Sequence, residues 1–338
     1  MGLDETAENG RQRGKQWRYV NIGMAVVLLG LVLYEVGLGS VKEALKGVNL
    51  ELLALCLLLS PIAPLLSAVK WRLLIRSQGY PISLVAAFRL YLVGMFVNNF
   101  MPSNIGGDVV RIHELGLVIG SRATAAASVF TDRLTGFIVL LILAGIAFFA
   151  RFTALTSLPL PLILLLAASG VALIMWLALD ARPLRIVQKH IQLGLVQQLA
   201  AKFSRFQTAL LGYRDRPRVL AGAFFLSVLF YAQVSIFIWL LTFSIEPEAA
   251  LIDIAFVVPI TLIFAAVPLS INGIGWQEWS YALLYPTSGL SASVGVATML
   301  LLRAVTWLLV LLGGIFYLRQ KLSRPAEVDT APAFYDVW

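Results

Sequence analysis

Six apolar runs, at about 20 to 38, 50 to 69, 131 to 150, 159 to 179, 219 to 243 and 294 to 318, approach or exceed the roughly 20 residues an α-helix needs to cross a hydrocarbon core about 30 Å thick. Charged residues make up 13% of the 338 and hydrophobic ones 59%, whereas a soluble domain carries about 25% charged residues. The sequence therefore predicts an all-α polytopic membrane helix bundle. It reads as a single transmembrane domain over 20–318, between cytoplasmic tails at 1–19 and 319–338. The first run is too soon followed by a second, and lacks a small-residue cleavage site, to be a removed signal peptide. Met1-Gly2-Leu3-Asp4-Glu5-Thr6 fits a myristoylation pattern, although one acyl chain adds little to a polytopic protein.

Lys and Arg collect on the cytoplasmic side of a membrane protein. Arg11, Arg13, Lys15 and Arg18 precede the first run; Lys70, Arg72 and Arg76 follow the second; Arg319, Lys321 and Arg324 follow the last. The 180–218 segment adds Arg182, Arg185, Lys189, Lys202, Arg205, Arg214, Arg216 and Arg218. These regions are predicted to be cytoplasmic, and the net charge of +8 is a topology signal, with no nucleic-acid partner implied. Leu184, Val187, Ile191, Leu195, Leu199, Phe203, Phe206 and Leu210 recur at helical spacing inside that segment. It reads as an amphipathic helix on the inner membrane surface or one packed under the bundle.

Two polar segments interrupt the apolar chain and resemble each other: Met101-Pro102-Ser103-Asn104-Ile105-Gly106-Gly107-Asp108, and Val267-Pro268-Leu269-Ser270-Ile271-Asn272-Gly273-Ile274-Gly275-Trp276-Gln277-Glu278. With the predicted orientation, 84–130 leaves and returns on the cytoplasmic side and 252–292 on the outer side. Each is a re-entrant hairpin or a pair of short crossings, giving about six full spans plus two broken-helix hairpins. Breaks entering from opposite faces are what an inverted repeat requires, and in transporters such breaks mark the binding site. The plainer alternative is that Pro102 and Pro268 end helices at the interface.

Charged residues flank both breaks. Asp108, Arg111 and Glu114 share a face if a helix starts near Gly107, with His113 beside it and Asn98 and Asn99 just before the break. Gln277 and Glu278 hold the equivalent place in the second copy, Asp132 and Arg133 start one span, and Arg303 lies inside another. A charge at a helix centre costs about 2.5–3.5 kcal/mol on insertion scales. Arg303 therefore needs a partner or a wet cavity, and Glu278 and Asp132 are the candidates. Ion pairs that merely pin helices are the structural alternative.

Asn99-Phe100-Met101-Pro102-Ser103-Asn104-Ile105-Gly106-Gly107-Asp108-Val109-Val110-Arg111, then Thr131-Asp132-Arg133-Leu134-Thr135-Gly136, then Pro268 to Glu278, resembles the family named for the lysylphosphatidylglycerol synthase transmembrane region. The resemblance spans nearly the whole chain and implies a flippase-like domain that moves a lipid between leaflets. The family's soluble aminoacyl-transferase has no room in the roughly twenty residues after the last run, so no lipid synthesis is expected.

Flipping is a headgroup problem, because burying ions in hydrocarbon is costly. In a polar groove, Arg111, Arg133 and Arg303 suit a phosphate, while Gly106, Gly107, Gly273 and Gly275 allow close backbone approach. Asp108 and Glu278 suit an amine, a proton or a coupling cation. Asn99, Pro102, Ser103, Asn104, Asp132, Ser270 and Asn272 complete the candidate substrate-binding set.

A membrane-embedded glycosyl- or phosphotransferase acting on a lipid carrier is the rival reading, and an accessory subunit of a lipid or polysaccharide assembly complex is the third. Two histidines, His113 and His190, and no clustered Cys argue against zinc, and no nucleotide-cradling glycine motif precedes a helix. No cofactor, metal or catalytic residue is predicted. Small-residue faces at Ala123 to Ala127 and Gly313-Gly314 fit subunit contacts or ordinary packing, and the lone Cys56 allows no internal disulfide. The expected partners are a membrane lipid (a phospholipid, an aminoacyl- or glycolipid, or a polyprenyl-phosphate lipid) and a separately encoded lipid-modifying enzyme. The expected location is the bacterial cytoplasmic membrane.

Overall fold

The structure, a computed structural model, describes residues 23, 26–99, 106–150, 160–180, 182, 194–267 and 269–322. Among these the regular structure is entirely helical. In chain order the helices are α1 (Val26–Val36), α2 (Leu38–Lys46), α3 (Leu50–Leu59), α4 (Ile62–Ser77), α5 (Leu84–Asn98), α6 (Gly106–Ile119) and α7 (Arg122–Ala150). They continue with α8 (Leu160–Leu179), α9 (Gly194–Leu211), α10 (Pro217–Phe243), α11 (Leu251–Ala266), α12 (Trp276–Leu284) and α13 (Ala292–Leu322).

Among the described residues, five stretches are long and apolar enough to cross a membrane: Leu50–Ser77, Arg122–Ala150, Pro161–Leu179, Pro217–Phe243 and Ala292–Arg319. They correspond to five of the six expected spans, and the chain is a polytopic helical membrane protein. The expected span at 20–38 lies partly outside the described residues; α1, within it, ends at Val36, and Gly37 separates it from α2. α8 shows the lipid-facing character most plainly, with only 6% of its most apolar stretch buried and Leu162, Leu165, Leu166 and Trp176 exposed.

The span containing α3 and α4 runs further than its apolar run and turns at Ser60–Pro61. Pro61 has no N–H to bond the carbonyl one turn back, that of Leu57. The Ser60 hydroxyl donates to that carbonyl instead, at 2.8 Å, so no backbone acceptor is stranded in an apolar setting. Beyond the turn the helix continues through Lys70 to Ser77, so Lys70 is a buried helical residue rather than a loop charge.

The chain divides into two compact units. The first comprises Met1–Ser60, Phe96–Gly106 and Ser235–Leu308; the second comprises Pro61–Met95, Gly107–Val234 and Leu309–Trp338. In the second, Ala125 and Ala127 of α7 are fully buried against Trp71, Leu74 and Ile75 of α4. Ala125 and Ala127 thus serve packing inside the chain, as small residues do between membrane helices. α9 packs on α7 and α8 through Phe206, Gln207 and Leu210, with Leu199 and Phe203 exposed; the predicted stretch from Leu184 to Ile191 lies outside the described residues. In the first unit, Cys56 is packed among Phe237, Leu241 and Val305, and Val32 and Val41 pack on Val296 and Ala297.

Chain order repeats. A short apolar helix of 15 residues (α5), a stretch outside the described residues, α6 and the long α7 are matched by one of 16 residues (α11), a loop, α12 and the long α13. Both long helices start on a serine cap: Ser121 Oγ accepts from Thr124 N at 3.2 Å, and Ser291 Oγ from Val294 N at 3.3 Å. Both post-break helices carry an acid in their first turn, Asp108 and Glu278, where the positive end of the helix dipole favours it.

Candidate functional site

The second unit holds a five-residue charge cluster. α6 starts at Gly106 as expected and brings Asp108 and Arg111 to α7, on which Asp132 and Arg133 follow one another. Arg111 is 2% exposed, donating from Nη1 to Asp108 Oδ1 at 3.2 Å and from Nη2 to Asp132 Oδ2 at 3.0 Å. Its guanidinium lies between two aromatic rings, 4.2 Å from the Trp71 centroid and 4.5 Å from that of Tyr91. Cation–π contacts of this kind strengthen when desolvated. Its Nε has no hydrogen-bond partner among the described residues.

Lys70 reaches Asp132 from α4. Its ammonium donates to the Asp132 carbonyl at 2.8 Å and to Ser227 Oγ at 3.1 Å, and lies 3.1 Å from Asp132 Oδ1 without a hydrogen-bond alignment to it. Gly136 lies beside it, where a Cβ would make only an ordinary contact 3.5 Å from Nζ. Arg133, about 100° further round the helix than Asp132, grips Asp108 with both ends of its fork, Nε to Oδ2 at 2.7 Å and Nη2 to Oδ1 at 2.9 Å. It is also the accessible member, 49% exposed beside Asp108 at 13%. Close packing of α5 on α6 depends on Gly94, where a Cβ would lie 3.2 Å from the Gly107 carbonyl and 3.3 Å from Arg111 Cγ and Cδ.

The first unit holds a tighter arrangement. Glu278 is fully buried and accepts Arg303 Nε on Oε1, Arg303 Nη2 on Oε2 at 3.2 Å, and the Gly275 N–H on Oε2 at 2.7 Å. That last bond is the return half of a capping box at the start of α12. Arg303 Nη1 also donates to the Asn272 carbonyl at 3.2 Å. The loop aims that carbonyl by passing through left-handed backbone at Asn272 (φ 51°), Gly273 (φ 64°) and Gly275 (φ 80°), which Asn and Gly tolerate best. Ser270 Oγ closes it by donating to the Ile274 carbonyl at 2.8 Å. Trp276 Nε1 donates to the Phe264 carbonyl at the end of α11, at 2.6 Å. Asn272 Nδ2 donates to Asn99 Oδ1 at 2.6 Å, so the edge of the first break touches the second.

Of Arg303's two candidate partners, Glu278 is the one it meets, while Asp132 is taken by Lys70 and Arg111. Asn99, Ser270, Asn272, Gly273, Gly275, Glu278 and Arg303 fall in one constellation, and Gly107, Asp108, Arg111, Asp132 and Arg133 in the other. Gly106 begins α6, and Pro102, Ser103 and Asn104 lie outside the described residues. Sequence reasoning missed Lys70, Trp71, Tyr91 and Ser227. A Lys-Trp pair near the end of an apolar run reads as an interfacial anchor, and nothing local distinguishes it from a buried ligand of Asp132.

The sequence profile of the lysylphosphatidylglycerol synthase TM region matches residues 19–314, from before α1 to within α13. The chain belongs to that family. Both constellations lie inside the matched region of this lysylphosphatidylglycerol synthase TM-region protein. A UPF0104 membrane protein of Pyrococcus horikoshii is 21% identical over 330 residues, covering 90% of this chain and 97% of the relative. One of Methanocaldococcus jannaschii is 24% identical over 306 residues (83% and 88%), and one of Methanothermobacter thermautotrophicus 24% over 311 residues (86% and 92%). Their names describe membrane proteins and state no activity. No solved structure matches the chain.

Proposed function

We propose that this protein moves a polar-headed phospholipid or glycolipid between leaflets, the headgroup passing along polar surface at the two helix breaks while the acyl chains stay in lipid. The observation that carries this reading is the duplicated charge pair. Asp108–Arg133 and Glu278–Arg303 each span 25 residues, and each joins the helix after a break to the next long helix. Charges inside membrane helices are expensive and mark function, and broken helices at matching positions of two halves mark transporter sites. Three of the five candidate spans, those starting at Arg122, Pro161 and Pro217, lie between one break and the other. In this reading the protein sits in the cytoplasmic membrane with both termini inside, following its Lys and Arg distribution, and works beside an enzyme that modifies the transported lipid.

The test is reconstitution of purified protein into liposomes carrying trace headgroup-labelled phospholipid, with an impermeant reductant reporting the outer leaflet and mass spectrometry reporting covalent change. Leaflet exchange above protein-free vesicles with unaltered lipid supports the reading. No exchange, with headgroup turnover once a nucleotide-sugar donor is added, replaces it with a lipid-carrier transferase.

A further inference from the structure

The two charge pairs share a register but not a state. Glu278 and Arg303 are one anion and one cation, 1% and 14% exposed, with the carboxylate also held by the Gly275 N–H. That pair is neutral and sealed. Around Asp108 the linked groups are three cations, Lys70, Arg111 and Arg133, and two anions, Asp108 and Asp132. One positive charge is left over in this set, and the half-exposed Arg133 is its accessible end.

We infer that the Asp108 carboxylate occupies, in the unloaded protein, the seat of a phosphodiester headgroup, which takes its place on Arg133 while Asp108 stays with Arg111. This rests on the lipid-transport reading above and adds to it the chemical class of the substrate and the way it is admitted. A guanidinium fork accepts two carboxylate oxygens or two phosphate oxygens in the same bidentate way, and Arg133 already holds Asp108 so, at 2.7 and 2.9 Å. The seat lies at the first turn of the 14-residue α6, where the helix end favours an anion. Arg111 stays fixed, being clamped between Trp71 and Tyr91 and bound to Asp132, and its Nε donor is unused among the described residues. A phosphodiester carries the single negative charge that neutralises the five-residue set; a phosphomonoester dianion leaves it negative, so diesters are preferred.

Asp108→Asn keeps the side-chain shape and removes the competing charge. Binding to the purified full-length protein in a non-ionic detergent is measured by native mass spectrometry with dihexanoyl phosphatidylglycerol, dihexanoyl phosphatidic acid, dihexanoyl glycerol or inorganic phosphate. Asp108→Asn is expected to bind the phosphatidylglycerol at least about fivefold more tightly than wild type, and Arg133→Gln at least about fivefold more weakly. Dihexanoyl glycerol should respond to neither variant, and phosphatidic acid should bind wild type more weakly than phosphatidylglycerol. A folded Asp108→Asn protein that binds phosphatidylglycerol equally or more weakly overturns the inference. So does a gain for inorganic phosphate without one for phosphatidylglycerol, which assigns the seat to free phosphate. If Asp108→Asn does not fold, Arg133→Lys decides: it keeps the charge and loses the fork, so weaker binding is expected and wild-type binding overturns the inference. Leaflet exchange in wild type with an unchanged Asp108→Asn affinity removes the seat and leaves the transport reading. The expected affinities without leaflet exchange do the reverse.

Discussion

Asn272 Nδ2 donates a 2.6 Å hydrogen bond to Asn99 Oδ1, directly joining two polar segments 173 residues apart in sequence. The same Asn272 offers its carbonyl to Arg303, which binds both oxygens of Glu278, one of which also takes the Gly275 N–H. A single connected network therefore runs from the edge of the first break to the start of α12. Inside a membrane, side-chain hydrogen bonds between helices contribute about 0.6 kcal/mol on average, with a maximum near 1.7. Asn99→Ala is expected to cost about 0.5–1.5 kcal/mol in unfolding titrations. With Asn272→Gly, which preserves the left-handed backbone while removing the donor, the double-mutant cycle should give a coupling of about 0.5 kcal/mol or more. Additive effects would show that the contact carries no energy.

Glu278 and Arg303 make a sealed pair, and such pairs punish removal of one partner more than removal of both. Glu278→Ala leaves Arg303 without its counter-charge and is expected to cost about 3–5 kcal/mol. Glu278→Met combined with Arg303→Met should be the more stable protein of the two, because no lone ion remains. Thermal unfolding in detergent separates these outcomes; a double variant at least as unstable as Glu278→Ala would refute the account of the pair as a mutual neutralisation.

Gly275 and Gly120 both adopt left-handed backbone, with φ of 80° and 69°, but only Gly275 is crowded. A Cβ at Gly275 would stand 2.5 Å from Leu28 Cβ and from the Leu29 backbone nitrogen, whereas one at Gly120 meets nothing within 4 Å. Gly120→Ala should therefore cost only backbone strain, about 1–2 kcal/mol. Gly275→Ala should cost clearly more, since it displaces α1 as well as straining the loop. Equal losses in melting temperature would contradict the close approach of α1 to this loop.

The spans were legible because apolar length alone signals a crossing, and α6 begins where Gly106 and Gly107 said it should. The second break was legible from its composition, with Asn272, Gly273 and Gly275 taking left-handed backbone, and Arg303's need for a partner from the cost of burying its charge; the first break lies outside the described residues. Less visible was which partner: Glu278 lies 25 residues away, beyond any helical periodicity, so Asp132 was an equal candidate. Lys70 was hidden for a different reason. Positive charge near the end of an apolar run carries topology, and the same signal covers a lysine folded inward to Asp132. The two constellations also differ in a way that spacing does not encode: the Glu278 pair is sealed and the Asp108 cluster open at Arg133, because sealing depends on which neighbours cover each acid.

Lipid leaflet exchange by Arg133→Gln in proteoliposomes shows whether the Arg133 guanidinium carries the headgroup, because Arg133 is half exposed and its loss spares the buried pairs of Asp132 with Lys70 and Arg111. The variant is expected to melt within about 3 °C of wild type and to exchange headgroup-labelled phospholipid no faster than protein-free vesicles. An Arg133→Gln protein that exchanges lipid at the wild-type rate would contradict that role.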